Sequence, residues 1–389
     1  MSGSGERLVA IDWLRGFVMM VMAVDHASAI WNAGRVAVDS VYPVDAFFVP
    51  GWVPGTALPA AQFWTRWITH LCAPTFLFLS GTSLALSTAG RVARGISDFA
   101  IDRHLVARGL VLIGCEVVWL SLGPSARLGH YFLVLQVLYA IGISLVAMAL
   151  LRRLPAPLLV MLALGWLAVG ELVTLSAAPT GPGAVGPAVA LLVAPGRFSF
   201  AAVAYPALPW LAMMMLGCAF GSHLVALRRR GVPASAAAGR CAAAGLAALA
   251  VFAAVRGANG YGNMALLRDG DGLIQWLHVS KYPPSLAFSA LELGLMALLL
   301  AALLVLQSRL AGPPRARNPF LVLGRTALFF YLLHFPLLAA GAAALGLVSA
   351  GGLIHTYSAA SAVVVALYPA CLWYGAYKAA HPGGFAQYI

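Results

Sequence analysis

Apolar stretches of about 20 residues recur along the chain, separated by short polar or Gly/Pro-rich connectors. A helix needs about 20 such residues to cross a hydrocarbon core of about 30 Å. Ten segments reach or approach that length: 9–30, 64–88, 105–122, 131–151, 157–178, 204–225, 240–256, 284–306, 320–340 and 357–377. The third and seventh are the weakest. The connectors 50–59 (PGWVPGTALP), 179–187 (PTGPGAVGP) and 257–272 are rich in helix breakers. The pattern predicts an all-α polytopic membrane protein of about ten transmembrane helices. No repeat divides it, so residues 1–389 are read as a single transmembrane domain.

Composition agrees with the pattern. The 389 residues are 62% hydrophobic and only 9% charged, whereas a soluble domain carries about 25% charged residues. An ordinary soluble enzyme, a disordered chain and a disulfide scaffold are all excluded. A net charge of +12 would suggest nucleic acid in a soluble protein. Here the basic residues lie in short connectors, where they set orientation instead, so no nucleic-acid partner is expected. With the N-terminus in the cytoplasm, 16 Lys and Arg residues fall inside, from Arg7 to Lys378, and seven fall outside, among them Arg66, Arg127, Arg256 and Lys281. Every even-numbered connection is basic, which puts both termini in the cytoplasm. The first apolar run contains Asp12 and Arg15, so it reads as a permanent span rather than a cleavable signal. Five cysteines without a CxxC pair or a neighbouring His cluster give no reason to expect a metal or a disulfide framework.

Ionisable groups inside apolar runs are the informative residues, because each costs at least about 2.5–3.5 kcal/mol on insertion scales unless it has a partner or a function. The first span carries Asp12, Arg15, Asp25 and His26. At about 100° per residue, Asp12, Arg15 and His26 share one helix face, with His26 about 16 Å beyond Arg15. His26 is either a satisfied structural histidine or a proton acceptor near neutral pH. Asp25 beside it could fix its tautomer or stabilise its charged form. The second span opens with Arg66 and His70 and continues through Ser80, Gly81, Thr82 and Ser83, a patch suited to close helix packing or to hydrogen bonding. Glu116, Glu171 and Glu292 are further intramembrane acids, each a relay or a structural partner. Lys281 and Tyr282 stand at the outer mouth of the eighth span. Arg325 marks the inner end of the ninth, with His334 about 13 Å further along. The longer outer connections, 31–63, 179–203 and 257–283, carry Asp39, Asp45, Asp269 and Asp271, and aromatics (Trp31, Tyr42, Phe47, Phe48, Trp52, Trp64) cluster in and around the first.

Several of these segments resemble one known family. RLVAIDWLRG leading into VDHASAIW (Arg7–Trp31), ITHLCAPTFLFLSGTSLAL (Ile68–Leu86), YPALPWLAMMMLGCAFG (Tyr205–Gly221), KYPPSLAF (Lys281–Phe288) and GRTALFFYLLHFP (Gly324–Pro336) are similar, in order, to the bacterial heparan-alpha-glucosaminide N-acetyltransferase-like proteins of the transmembrane acyltransferase superfamily. The resemblance implies a multi-pass protein of the bacterial inner membrane. It would move an acyl group, typically acetyl, from cytoplasmic acetyl-CoA to an amine or hydroxyl of a sugar or glycolipid acceptor on the far side, with no metal. Membrane lipids and a homodimeric second copy are further implied partners.

Asp25 and His26 fall at the first-span position of the family's catalytic polar residues. The lysosomal member has an amide residue where Asp25 stands and an important histidine in its first outer loop. This chain has no histidine between residues 27 and 69, which leaves His26 and His70 as candidate bases. The catalytic set is therefore His26, Asp25 and His70. Arg15, Arg325, His334 and Ser80 are assigned to the CoA, and Asp12, Arg66, Lys281 and Tyr282 to the acceptor. A proton-coupled transporter using the same intramembrane groups is the alternative from another class.

Overall fold

The computed structural model describes residues 8–37, 39–42, 52–122, 125, 129–179, 185–310, 312, 315–381 and 384. Asp45, Phe47, Phe48, Arg7 and Arg127, singled out above, lie outside the described residues. In chain order, α1 is Val9–Trp31, α2 Ala60–Trp67, α3 Cys72–Val92, α4 Asp98–Cys115, α5 Val137–Leu151 and α6 Ala156–Ala177. Then follow α7 Pro187–Leu192, α8 Ala207–Arg229, α9 Ala238–Ala258, α10 Leu273–Leu277, α11 Leu286–Ser308, α12 Pro319–Arg325, α13 Ala327–Ala344 and α14 Leu353–Ala380. A 3₁₀ turn, Ile68–Leu71, joins α2 to α3 into one 33-residue helical rod. The only sheet among the described residues is small: β1 (Leu133–Leu135) pairs in parallel with β3 (Ala201–Val203), and β2 (Gly196–Arg197) pairs with β3 in antiparallel.

The all-α membrane architecture read from the pattern is the one observed. Seven helical stretches are long and apolar enough to cross a bilayer: 60–92, 156–177, 207–229, 234–258, 286–308, 327–344 and 353–380. The other three expected segments are helical but differ in character. The first, α1, has 23 residues and the charges already noted. The third ends in a π-helical turn, Glu116–Leu120, and the fourth begins as β1 before becoming the 15-residue α5. Glu116 explains the break. Its Oε2 accepts from the backbone N–H of Tyr139 at 2.9 Å, in the first turn of α5, so this buried carboxylate caps a helix N-terminus.

Local signals set several other boundaries. Ser97 accepts from Ala100 N–H to start α4. Asn318 accepts from Leu321 N–H to start α12, with Pro319 at its first position.

The chain forms two compact units, one of residues 1–32, 226–247 and 294–389, the other of residues 33–225 and 248–293. In the first, α1 packs on α12, α13 and α14. Glycines let backbones touch: a Cβ on Gly16 would lie 1.9 Å from the Phe320 carbonyl oxygen, and one on Gly324 would lie 2.0 Å from that of Asp12. At its C-terminal end α1 is tied down by Trp31 Nε1 donating to Leu338 O (3.1 Å) and by Gly351 N–H donating to Trp31 O (2.7 Å).

In the second unit the same device joins α3 to α8. A Cβ on Gly81 would meet Met214 O at 2.0 Å, and one on Gly217 would meet Phe78 O at 1.9 Å. Thr82 adds hydrogen bonds to Phe78 O and Gly217 O, both 3.0 Å. Of the two readings of the SGTS patch, close packing is what Gly81 and Thr82 do. Glu171 likewise has a structural task, accepting from Gly262 N–H at 2.7 Å, where the backbone has φ +94° and suits glycine. Tyr42 donates to Ala178 O at 2.6 Å. Burial, reinforced by the charge of Glu171, pushes its phenol up to about 12.

Candidate functional site

Two imidazoles meet in the first unit. His26 Nδ1 lies 2.6 Å from His334 Nε2. The ring centroids are 4.9 Å apart and the planes 18° apart. With so short an N···N distance, the rings must lie side by side in a common plane rather than face to face. His334 is fully buried and turns its other nitrogen back on its own helix, 2.7 Å from Tyr331 O and 3.1 Å from Phe330 O. Tyr331 and Phe335 present their edges or faces to the His26 ring at centroid distances of 5.8 and 5.4 Å. Sequence reasoning found both histidines but not these flanking aromatics. Their signal is present, since they sit three residues before and one after His334. Asp25, next to His26, is half-buried.

At the N-terminal end of α1 the same unit gathers two cations around one carboxylate. Arg15 Nη1 is 3.3 Å from Asp12 Oδ1 and 3.3 Å from Gly324 O. Arg325 Nε is 3.3 Å from Asp12 Oδ2. The Asp12 side chain is 4% exposed, whereas those of Arg15 and Arg325 are 19% and 37% exposed. The close Gly16 and Gly324 contacts hold α12 against α1 here, so the guanidinium pair is set by backbone packing. Asp12, assigned above to the acceptor, sits about 21 Å along the helix from His26, bridging the arginines.

The second unit has its own charged cluster. Asp39 Oδ2 accepts from Arg66 Nε at 2.7 Å and from Arg66 Nη2 at 2.6 Å, and His70 Nε2 approaches it at 3.3 Å. Arg66 Nη2 also donates to Tyr282 Oη at 3.3 Å, and Lys281 N–H donates to Asp39 O at 2.9 Å. The Lys281 ammonium sits 5.3 Å from the Tyr282 ring centre. Asp39, Arg66, His70 and Lys281 are all buried. Burial by itself would raise the Asp39 pKa. Arg66, His70 and Lys281 outweigh it and hold the carboxyl well below the usual carboxylate range. Asp39 is thus the hub that joins three of the predicted residues, and it was noted in the sequence only as a loop charge.

Ser80 is half-buried on α3 beside the Gly81 contact. Glu292 is buried on α11, and its Oε1 has no hydrogen-bond partner among the described residues. No group of three His, Cys, Asp or Glu side chains that could hold a metal occurs among the described residues.

An imidazole pair lies towards one end of α1 in an all-α membrane protein, and two guanidinium groups, Arg15 of α1 and Arg325 of α12, gather around Asp12 towards the other. The comparison with known families gives the chain a class. Residues 7–254, well over half of the chain, match the family described as heparan-alpha-glucosaminide N-acetyltransferase, catalytic. The chain therefore belongs to that family, and its class is that of a membrane acetyltransferase. A search of curated proteins finds no match.

Proposed function

We propose that this protein transfers an acetyl group from cytoplasmic acetyl-CoA to an amine or hydroxyl, on a sugar or glycolipid, at the extracytoplasmic side of a bacterial plasma membrane. The observation that carries the proposal is the His26–His334 pair, with Arg15 near the other end of the His26 helix and Arg325, the last residue of α12, beside it on Asp12. The CoA phosphates need cations and cannot cross lipid, so they dock at the two arginines, which Asp12 holds in place. The pantetheine arm, long and thin, runs along α1 towards His26, about 16 Å away by helix rise.

There His26 takes the proton of the acceptor as its nitrogen or oxygen bonds to the thioester carbonyl carbon. The carbon–sulfur bond then breaks, the CoA thiolate takes up the proton, and His26 returns to neutral. Asp25 stabilises the transient imidazolium. No acyl-enzyme forms.

His70, Arg66, Lys281 and Tyr282, engaged with Asp39 and with one another, are assigned to holding Asp39 against the segment that leads into α11. Glu116 Oε2 and Glu171 Oε2 each accept a backbone N–H, which gives these two acids a structural task beside the relay that the carrier alternative needs.

The test is a thermal shift with acetyl-CoA, CoA and pantetheine, run on wild type, His26→Ala and Arg15→Ala/Arg325→Ala. Ligand at about 100 times its Kd adds about 2.7 kcal/mol of apparent stability. The expected result is stabilisation by both CoA species in wild type and His26→Ala, weaker in the double arginine variant. No response to any CoA species in wild type defeats the proposal.

A further inference from the structure

A carbonyl oxygen only accepts hydrogen bonds, and this fixes the protons of the histidine pair. His334 Nδ1 faces two carbonyls, Tyr331 O at 2.7 Å and Phe330 O at 3.1 Å. It must carry the hydrogen. In a neutral ring the other nitrogen, Nε2, is then the acceptor. His26 Nδ1, 2.6 Å from it, must in turn be the donor. In the neutral His26 ring the second nitrogen, Nε2, then carries the lone pair. The opposite arrangement would require His334 to carry a proton on both nitrogens while fully buried, a costly way to hold charge.

We propose that His334 is a positioning residue that fixes His26 in the Nδ1–H tautomer and so makes His26 Nε2 the basic atom. The proposal rests on the reading of His26 as the general base and gives that base its atom. In isolation a histidine side chain in water favours the Nε2–H form, whose Nε2 could not accept a proton. The backbone of α13 reverses the preference through two rings in series. When His26 takes the acceptor's proton on Nε2, its Nδ1–H remains bonded to His334 Nε2. The proton that arrives on Nε2 leaves from Nε2 for the CoA thiolate, the Nδ1–H stays in place, and His334 is unchanged over the cycle. His334 therefore acts through His26 and touches neither substrate.

The experiment is nitrogen NMR of the full-length protein in detergent, with ¹⁵N-labelled histidine rings, at a pH where both rings are neutral. The His26 resonances, among nine histidines, are identified by their loss in His26→Gln. The expected wild-type pattern is His26 protonated on Nδ1 and bare on Nε2. In His334→Phe, which removes the acceptor, His26 should switch to Nε2–H. In His334→Gln, whose amide oxygen can stand near the place of Nε2, it should keep the wild-type form. That variant carries the test if the phenylalanine variant does not fold.

Thioester cleavage of acetyl-CoA, with glucosamine as probe acceptor, is followed in parallel. His334→Phe should lower kcat about tenfold with KM for acetyl-CoA unchanged, and His334→Gln should recover most of it. A wild-type His26 protonated on Nε2, or a tautomer that His334→Phe leaves unmoved, overturns the proposal while leaving the base reading intact. His26→Gln turning over like wild type removes the base reading and leaves the tautomer assignment standing.

Discussion

His26 and His70 are both intramembrane histidines, and they have opposite kinds of partner. His70 faces a carboxylate that also holds Arg66, in a cluster of formal charges sealed from solvent. His26 faces a neutral ring whose own proton is held by backbone carbonyls. The carboxylate ties His70 into a buried cluster built around the Arg66–Asp39 ion pair. A neutral acceptor selects a tautomer of its partner ring. The first arrangement suits cohesion, the second suits catalysis. Residue type alone does not distinguish the two; the partner does.

The largest expected effect is at the charged cluster. Asp39→Ala leaves the Arg66 guanidinium buried without its counter-ion, and breaking such a pair costs about 3–5 kcal/mol. Thermal unfolding in detergent should show this as a large fall in Tm. If Asp39→Ala unfolds like wild type, the cluster has no structural role and the comparison collapses.

Its pH dependence follows from the sign of the shift. The folded-state pKa of Asp39 is depressed, so its contribution is full above the unfolded carboxylate value of about 3.9. It is lost as pH falls through the lower folded value. The stability gap between wild type and Asp39→Asn should be constant from pH 7 to about pH 5 and should close only below about pH 4.

Next is turnover. His26→Ala should slow acetyl transfer by about 10²–10⁴-fold, the range for a lost general base, with Tm little changed. His70→Ala should lower Tm far more than its residual rate per folded molecule. Equal rate losses from the two variants would erase the distinction between them.

A smaller effect isolates the arginine end of α1 from its histidine end. Gly16→Ala drives a methyl into the Phe320 carbonyl, and overpacking of this kind costs about 1–3 kcal/mol. Acetyl-CoA affinity should weaken while the His26 tautomer, read by NMR, stays as in wild type. Smallest is Thr82→Val, which removes the hydrogen bond to Gly217 O and should cost about 0.5–1.5 kcal/mol with no change in rate.

Much of this was legible in the sequence. Long apolar runs specified the all-α membrane class, and charges standing inside them pointed to Asp12, Arg15, Asp25, His26, Arg66, His70 and His334. What could not be read was pairing. His26 and His334 are 308 positions apart, and no local periodicity links residues at that separation. Asp39 sits in a polar connector, where an aspartate is unremarkable. Only folding reveals that it is buried against Arg66. Glu116 and Glu171 each read as a relay or a structural partner, because an intramembrane carboxylate is costly. The sequence offered no way to see that each is matched to a backbone N–H. The SGTS patch was ambiguous for a related reason, since small residues serve both packing and binding until a neighbouring helix is known.

The separation between α1 and its partners has a consequence for biosynthesis. Helix α1 leaves the ribosome well ahead of its partners, since Arg325 and His334 are made more than 300 residues later. At about 5–20 residues per second, α1 waits roughly 15–60 s before Asp12 meets Arg325 and His26 meets His334. The chain passes through the membrane as an incomplete assembly for most of its synthesis, and only the arrival of α12 and α13 closes it. Slowing translation just before residue 319 should therefore prolong the exposure of α1 to quality-control proteases, whereas a pause after α14 should be harmless.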